Sequence, residues 1–223
     1  MAPASLLGAL CAFSLFPYTY AHMQMIIPSP LRDPHSDRAS EPKDYNILNP
    51  LHSDGSDFAC KGYQWNTPWT PVATYEAGES YEVRLKGGAT HGGGSCQISL
   101  SCDGGIEFKV IKSFVGNCPL EKKYPFTIPL ELGGILGEKV TCLLSWTWFN
   151  NLGNREMYMN CAVVDIVPRE NRKKSNKHPA QAVLSSYPDL FVANLASIND
   201  CKTKETFDVV FGDPGNDVVF GAG

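Results

Sequence analysis

From Tyr81 onward, apolar and polar residues alternate in short runs with a period of two, the spacing of a strand with one buried face. The runs are Tyr81-Glu82-Val83-Arg84-Leu85, Cys96-Gln97-Ile98-Ser99-Leu100, Phe108-Lys109-Val110-Ile111, Phe126-Thr127-Ile128, Val140 to Phe149, and Met157 to Val167. Clusters such as Lys86-Gly87-Gly88 and Leu132-Gly133-Gly134 separate them, as turns require. Several short strands with no long helical pattern between them predict an all-β fold, an antiparallel β-sandwich with long loops. Leu143 to Phe149 is the expected central strand, with Leu144, Trp146 and Trp148 on one face as core.

Two stretches lack this alternation. Gln24 to Asp57 is rich in Pro, Asp, Ser and Asn and reads as an extended segment or long loop, with Cys60 placed to pin its end. Beyond Pro168, residues 169–179 form a basic run with no apolar residue, read as a solvated connector. The apolar segment Tyr187 to Leu195 and two short runs ending at Phe220 follow, read as a tail wrapped against the sandwich with Cys201 as its candidate tether.

The start of the chain places it in a compartment. An apolar run from Leu6 to Phe16 is followed by Pro17 and by the small residues Thr19 and Ala21, which is the layout of a secretory signal over residues 1–21 cut after Ala21. No Lys or Arg precedes Arg32, so the basic start of such signals is missing. The run is far shorter than the roughly 20 apolar residues of a membrane span. A secreted, extracellular chain with no membrane partner is expected. With 23 acidic against 19 basic residues, nothing suggests nucleic acid either. Of eight cysteines, Cys11 leaves with the leader, and an oxidising compartment should pair most of the other seven, leaving one over. The sequence alone does not choose the pairs. No Cys-x-x-Cys spacing argues for zinc instead.

Cleavage after Ala21 makes His22 the first residue, and an N-terminal histidine offers one metal two nitrogens, its α-amine and its imidazole Nδ1. His35, His52 and His178 lie in polar or basic loops and are read as incidental. His91 differs, because Gly92, Gly93 and Gly94 clear side-chain bulk beside it and Cys96 anchors the next strand. Together His22 and His91 supply three nitrogens, a set that favours copper(II) over zinc. The α-amine must lose its proton to bind, so affinity should fall on acidification. In Arg155-Glu156-Met157-Tyr158-Met159-Asn160-Cys161, alternation puts Glu156, Tyr158 and Asn160 on one face and the two methionines on the other. The Tyr158 phenol is then a candidate axial group for the metal, and the Glu156 carboxylate a candidate to hold water or an oxygen species.

Four blocks carry a family resemblance: His22-Met23-Gln24-Met25, Ser53 to Lys61, His91 to Gln97, and Trp146 through Asn150 with Gly153 to Ala162. They resemble the fungal lytic polysaccharide monooxygenases of auxiliary activity family eleven, and Leu190 to Asn194 extends the likeness into the tail. The resemblance implies an immunoglobulin- or fibronectin-like sandwich over residues 22–167, with residues 168–223 packed on it as connector and tail. It implies one copper ion, cycling between Cu2+ and Cu+, held by His22, His91 and axially Tyr158, with Glu156 beside the oxygen-binding position and Ala89 crowding the other axial side. The implied reaction is oxidative cleavage of β-1,4-linked polysaccharide, most of all chitin, by C–H hydroxylation next to the glycosidic bond. An external electron donor and O2 or H2O2 are the implied co-reactants, and the protein is expected to act as a monomer on the polysaccharide surface. Cys60 with Cys161 and Cys96 with Cys118 match the family's disulfides.

Residues Leu31 to Pro50 depart from the family pattern, as do Cys102 and Cys142, for which a bridge between neighbouring strands is expected; Cys201 is left over. The sequence ends at Gly223 without a linker or carbohydrate-binding module, so targeting is expected to rest on the catalytic face. The alternative to an enzyme is a secreted copper-binding protein using the same two histidines. Glu156 and Tyr158 speak for the enzyme, since capture alone needs no arranged neighbours.

Overall fold

A computed structural model describes residues 22–135, 139–169 and 179–221. The leader and residues 170–178, including His178, lie outside the described residues. Among the described residues nine strands follow in order: β1 (Met23–Ile27), β2 (Ala73–Glu76), β3 (Ser80–Gly87), β4 (Gly94–Ser101), β5 (Lys109–Val115), β6 (Lys123–Thr127), β7 (Val140–Asn150), β8 (Tyr158–Val167) and β9 (Val218–Phe220). They form a three-stranded sheet in the order β1-β3-β6 and a six-stranded sheet in the order β2-β8-β7-β4-β5-β9. The chain is therefore the expected all-β sandwich.

Its pairing is not wholly antiparallel. The short strands β2 and β9 join the six-stranded sheet parallel to β8 and β5. Both escaped the sequence reading, being four and three residues long and too short to show a period. β1 escaped it too, because Met23-Gln24-Met25-Ile26-Ile27 is nearly all apolar and runs into a Pro-rich loop.

β7 lies inside the sheet between β8 and β4. Leu144, Trp146 and Trp148 point from it into the core between the sheets, where Met23, Met25, Val83, Leu85, Ile98 and Phe126 meet them. The opposite face of the larger sheet is buried as well. There Leu143, Phe149, Met157 and Met159 pack under Leu31, Leu51 and the tail residues Leu190, Leu195 and Phe211. Burial on both faces explains why β4, β5 and most of β8 expose nothing, although every second residue of β4 and several of β5 are polar. The polar side chains are hydrogen-bonded instead: Ser99 to Ser145, and the Gln97 amide to Ser113 and to the backbone N–H of Phe191.

Disulfides join Cys60 to Cys161, Cys96 to Cys118 and Cys102 to Cys142. The first fastens the long loop after β1 to β8, and the loop is also stitched to that strand by Leu31 N–H donating to the Cys161 carbonyl and Leu51 N–H to the Met157 carbonyl. Cys201 is unpaired and exposed, so it is not the tether expected for the tail. Apolar burial and backbone hydrogen bonds, such as those from Val110 N–H to the Pro188 carbonyl and from Leu190 N–H to the Phe108 carbonyl, hold the tail instead.

Candidate metal centre

The two histidines reach the same place from different elements. His22 precedes β1, an edge strand of the small sheet, whose register sets Met23 opposite Gly87 on β3. A β-carbon on Gly87 would stand 2.0 Å from the His22 carbonyl oxygen, so glycine there is what lets the backbone carrying His22 lie down on β3.

His91 sits in the turn between β3 and β4, which crosses from one sheet to the other. His91 itself has φ +46°, and Gly92, Gly93 and Gly94 follow with φ of +71°, +95° and +129°. Four consecutive residues in that half of φ space account for the run of glycines. The turn is closed by Gly93 N–H donating to the Thr90 carbonyl, and it is fixed to the end of β7 by Leu152 N–H donating to the His91 carbonyl and Trp148 Nε1–H donating to the Gly93 carbonyl. A β-carbon on Gly94 would lie 2.0 Å from the Phe149 carbonyl oxygen.

Glu156 and Tyr158 come from the loop into β8 and its first residue. Asn150 accepts the Glu156 N–H at 3.3 Å, and Asn194, from the tail, donates to the Glu156 carbonyl at 3.0 Å. The Tyr158 hydroxyl donates to Glu156 Oε2 at 2.7 Å. Its ring lies 4.4 Å from that of Trp148 and 5.7 Å from that of His22, centroid to centroid.

One ligand atom from each of His22, His91 and Glu156 lies within 4.8 Å of the other two. His91 Nε2 is buried with no hydrogen-bond partner, a cost to the fold unless something binds it. Burial holds the His22 imidazole below its ordinary range; Glu156 opposes the shift, and His91 and Lys61 add to it. It is thus kept neutral and able to donate a lone pair. Burial raises the Tyr158 phenol, and acceptance of its proton by Glu156 adds to the effect, so it stays protonated. Two imidazoles, one with an orphaned nitrogen, fit a borderline cation of the copper type better than the oxygen-seeking magnesium or calcium.

Sequence reasoning brought together His22, His91, Glu156 and Tyr158, and the structure has them adjacent. Ala89 is half-buried two residues before His91. Reasoning from the sequence missed the parts that hold the group in place: Gly87 beneath His22, Asn150 and Asn194 on Glu156, and Trp148 against Tyr158. Asn194 has φ +66° and lies 38 residues from Glu156, so no local pattern links them.

Comparison with known proteins supplies the rest. The chain is 49% identical over 192 residues to AA11 family lytic polysaccharide monooxygenase A of Aspergillus fumigatus (strain CBS 144.89 / FGSC A1163 / CEA10), covering 86% of this chain and 81% of the relative. The chain belongs to the AA11 family of lytic polysaccharide monooxygenases. It is accordingly a copper-dependent oxidoreductase, and the alternative of a non-enzymatic copper-binding protein is set aside. Two further relatives are AA11 family lytic polysaccharide monooxygenase B of Aspergillus fumigatus (strain ATCC MYA-4609 / CBS 101355 / FGSC A1100 / Af293), 36% identical over 90% of this chain, and an AA11 family lytic polysaccharide monooxygenase of Aspergillus oryzae (strain ATCC 42149 / RIB 40), 35% identical over 97%. The chain spans about half the length of these two, 49% and 50%. No protein-family model matches it. No helix among the described residues is long and apolar enough to cross a membrane.

Proposed function

We propose that the chain is secreted, is cut after Ala21, and then oxidises chitin or a closely related β-1,4-linked polysaccharide at the C–H bond beside the glycosidic linkage, as a monomer. His22, through its α-amine and imidazole, and His91 would hold one copper ion, with Tyr158 beside it. The convergence of His22, His91 and Glu156, together with the unpartnered Nε2 of His91, carries this reading. Copper bound there supplies one-electron chemistry and activation of O2 or H2O2, driven by an external electron donor.

The protein's own residues set the conditions for that chemistry. Burial, and after it donation of its proton to Glu156, keep Tyr158 a neutral phenol, which would make it no more than a weak donor to a metal held by the histidines. Glu156 accepts that bond through one oxygen and is gripped at both backbone ends by Asn150 and Asn194. Its carboxylate is therefore positioned to hold or move a proton at the reacting oxygen.

Mass spectrometry of chitin incubated with leader-processed, copper-loaded protein, a reductant and O2 or H2O2 tests the reading. Oxidised chito-oligosaccharides are expected only when the reductant is present. Products from cellulose or xylan but not chitin would overturn the substrate, and an intact mass showing any first residue other than His22 would overturn the ligand set.

A further inference from the structure

The His91 turn leans on a stretch of chain that belongs to neither sheet. β7 ends at Asn150, and residues 151–154 leave it as a series of bends, with Leu152 46% exposed, so no core holds them. They carry the turn all the same. Leu152 N–H donates to the His91 carbonyl at 2.8 Å, and Asn151 N–H to the Gly93 carbonyl at 3.0 Å. A β-carbon on Gly153 would stand 3.6 Å from His91 Nδ1, which puts the backbone of this stretch against the imidazole beside Nδ1 and leaves the unpartnered Nε2 to the metal centre.

Part of what steadies residues 151–154 is local: Asn150 Nδ2 donates to the Leu152 and Asn154 carbonyls, and the Arg155 guanidinium to those of Asn150, Asn151 and Gly153. The rest comes from the tail, 52 to 57 residues further along the chain. Glu205 Oε1 accepts the Gly153 N–H at 2.9 Å, Thr206 N–H donates to the Asn151 carbonyl at 2.8 Å, and Asp208 Oδ1 accepts from Asn151 Nδ2 at 2.8 Å. Residues 204–208 are all exposed, so burial does not draw this piece of the tail to the loop. The three bonds do, and the bonds to the Glu205 and Asp208 carboxylates are charge-assisted.

We propose that Glu205 is a positioning residue for His91: with Thr206 and Asp208 it clamps residues 151–153 against the imidazole and fixes the direction in which Nε2 meets the metal. The assignment rests on the copper reading above. His91 and the three glycines after it all have positive φ, and glycines add no side chains that could pack and hold the turn. Its orientation must then come from outside, and residues 151–153 are what touches it. Groups that orient a metal ligand contribute to affinity without meeting the metal. Glu205 is such a group at one remove, acting through Gly153 and Leu152.

Glu205→Ala and Glu205→Gln test this, the second keeping an acceptor oxygen. Amide hydrogen exchange at Leu152 is read on the leader-processed protein without metal, and copper(II) titration and EPR on the same protein with it. Glu205→Ala should speed exchange at Leu152, change the copper hyperfine splitting, and weaken copper binding about tenfold, the lower end for groups that orient a ligand. Its Tm should stay close to that of the wild type, because the side chain is exposed. Glu205→Gln should restore the exchange rate, the spectrum and the affinity. Exchange at Leu152 or an EPR spectrum unaltered in Glu205→Ala, or a glutamine variant that loses as much as the alanine, would overturn the assignment. A wild-type protein that takes up no copper would remove the copper reading instead, and exchange at Leu152 would still decide whether Glu205 holds the His91 turn.

Discussion

The strand that carries His22 and the turn that carries His91 bring two imidazoles to one point by opposite means. β1 is an edge strand whose position follows from pairing with β3 and from the burial of Met23 and Met25 in the core between the sheets. The His91 turn has no regular structure; four successive positive φ angles and hydrogen bonds to its own backbone and to the end of β7 define it. One arm is set by packing, the other by backbone conformation. The centre therefore depends on both sheets at once, and the two arms should fail differently.

Removing a ligand from either arm should have the largest effect and should not tell them apart. His91→Ala, or one extra residue ahead of His22, takes away a donor nitrogen. Even partners outside the ligand sphere are worth 10–100-fold in metal affinity, so a loss of roughly a hundredfold or more is expected. Isothermal titration with copper(II) measures it, and equal losses in the two variants mean that both arms ligate. A variant that keeps its affinity would remove that arm from the centre.

Substitutions under the arms separate them. Gly94→Ala puts a β-carbon against the Phe149 carbonyl in a conformation that side-chain-bearing residues avoid, with a backbone on both sides that has little room to shift. It should cost on the order of 4 kcal/mol in global stability, at the top of the range for single changes. Breaking the disulfide that closes the same region, Cys96 to Cys118, should cost about 3.4 kcal/mol by loop-closure entropy at its separation of 22 residues. Gly87→Ala clashes as closely with the His22 carbonyl, but β1 is an edge strand and can lift. Its cost should appear as weaker copper binding more than as a lower Tm. Thermal unfolding and copper titration on the same three variants decide the matter. If Gly87→Ala destabilises as much as Gly94→Ala and spares the metal, the distinction between the arms is wrong.

The same contrast explains what the sequence disclosed. Alternation revealed the strands with five or more paired residues, and it placed Trp146 and Trp148 in the core because their neighbours on β7 repeat the pattern. It could not reveal β2 or β9, which exist because a long neighbour offers an edge. The histidines were legible through chemistry: an N-terminal His22 has two donor nitrogens by covalent structure, and glycines beside His91 announce a backbone that no other residue tolerates. The grip on Glu156 was not legible, since Asn150 holds it from the end of β7 and Asn194 from across the fold.

Asn160 tests whether the two arms are mechanically joined. It lies on β8 two residues beyond Tyr158, is 5% exposed, and accepts the Met25 N–H of β1 through Oδ1 at 2.9 Å. Met25 pairs with Leu85 on β3, and the β1–β3 register shifts just beyond it, between Met25 and Ile27. Asn160→Leu keeps the volume but strands that donor, at a cost of about 1–3 kcal/mol. If β1 is held by sheet pairing alone, stability falls and copper affinity does not change. If the bond from β8 fixes where β1 ends, His22 drifts from Tyr158 and Glu156, and copper affinity should fall a few-fold beyond what the lost stability explains. We expect the second outcome, because the strand that carries Tyr158 is then also the strand that positions His22, and titration of Asn160→Leu beside Asn160→Asp, which keeps an acceptor, would show it.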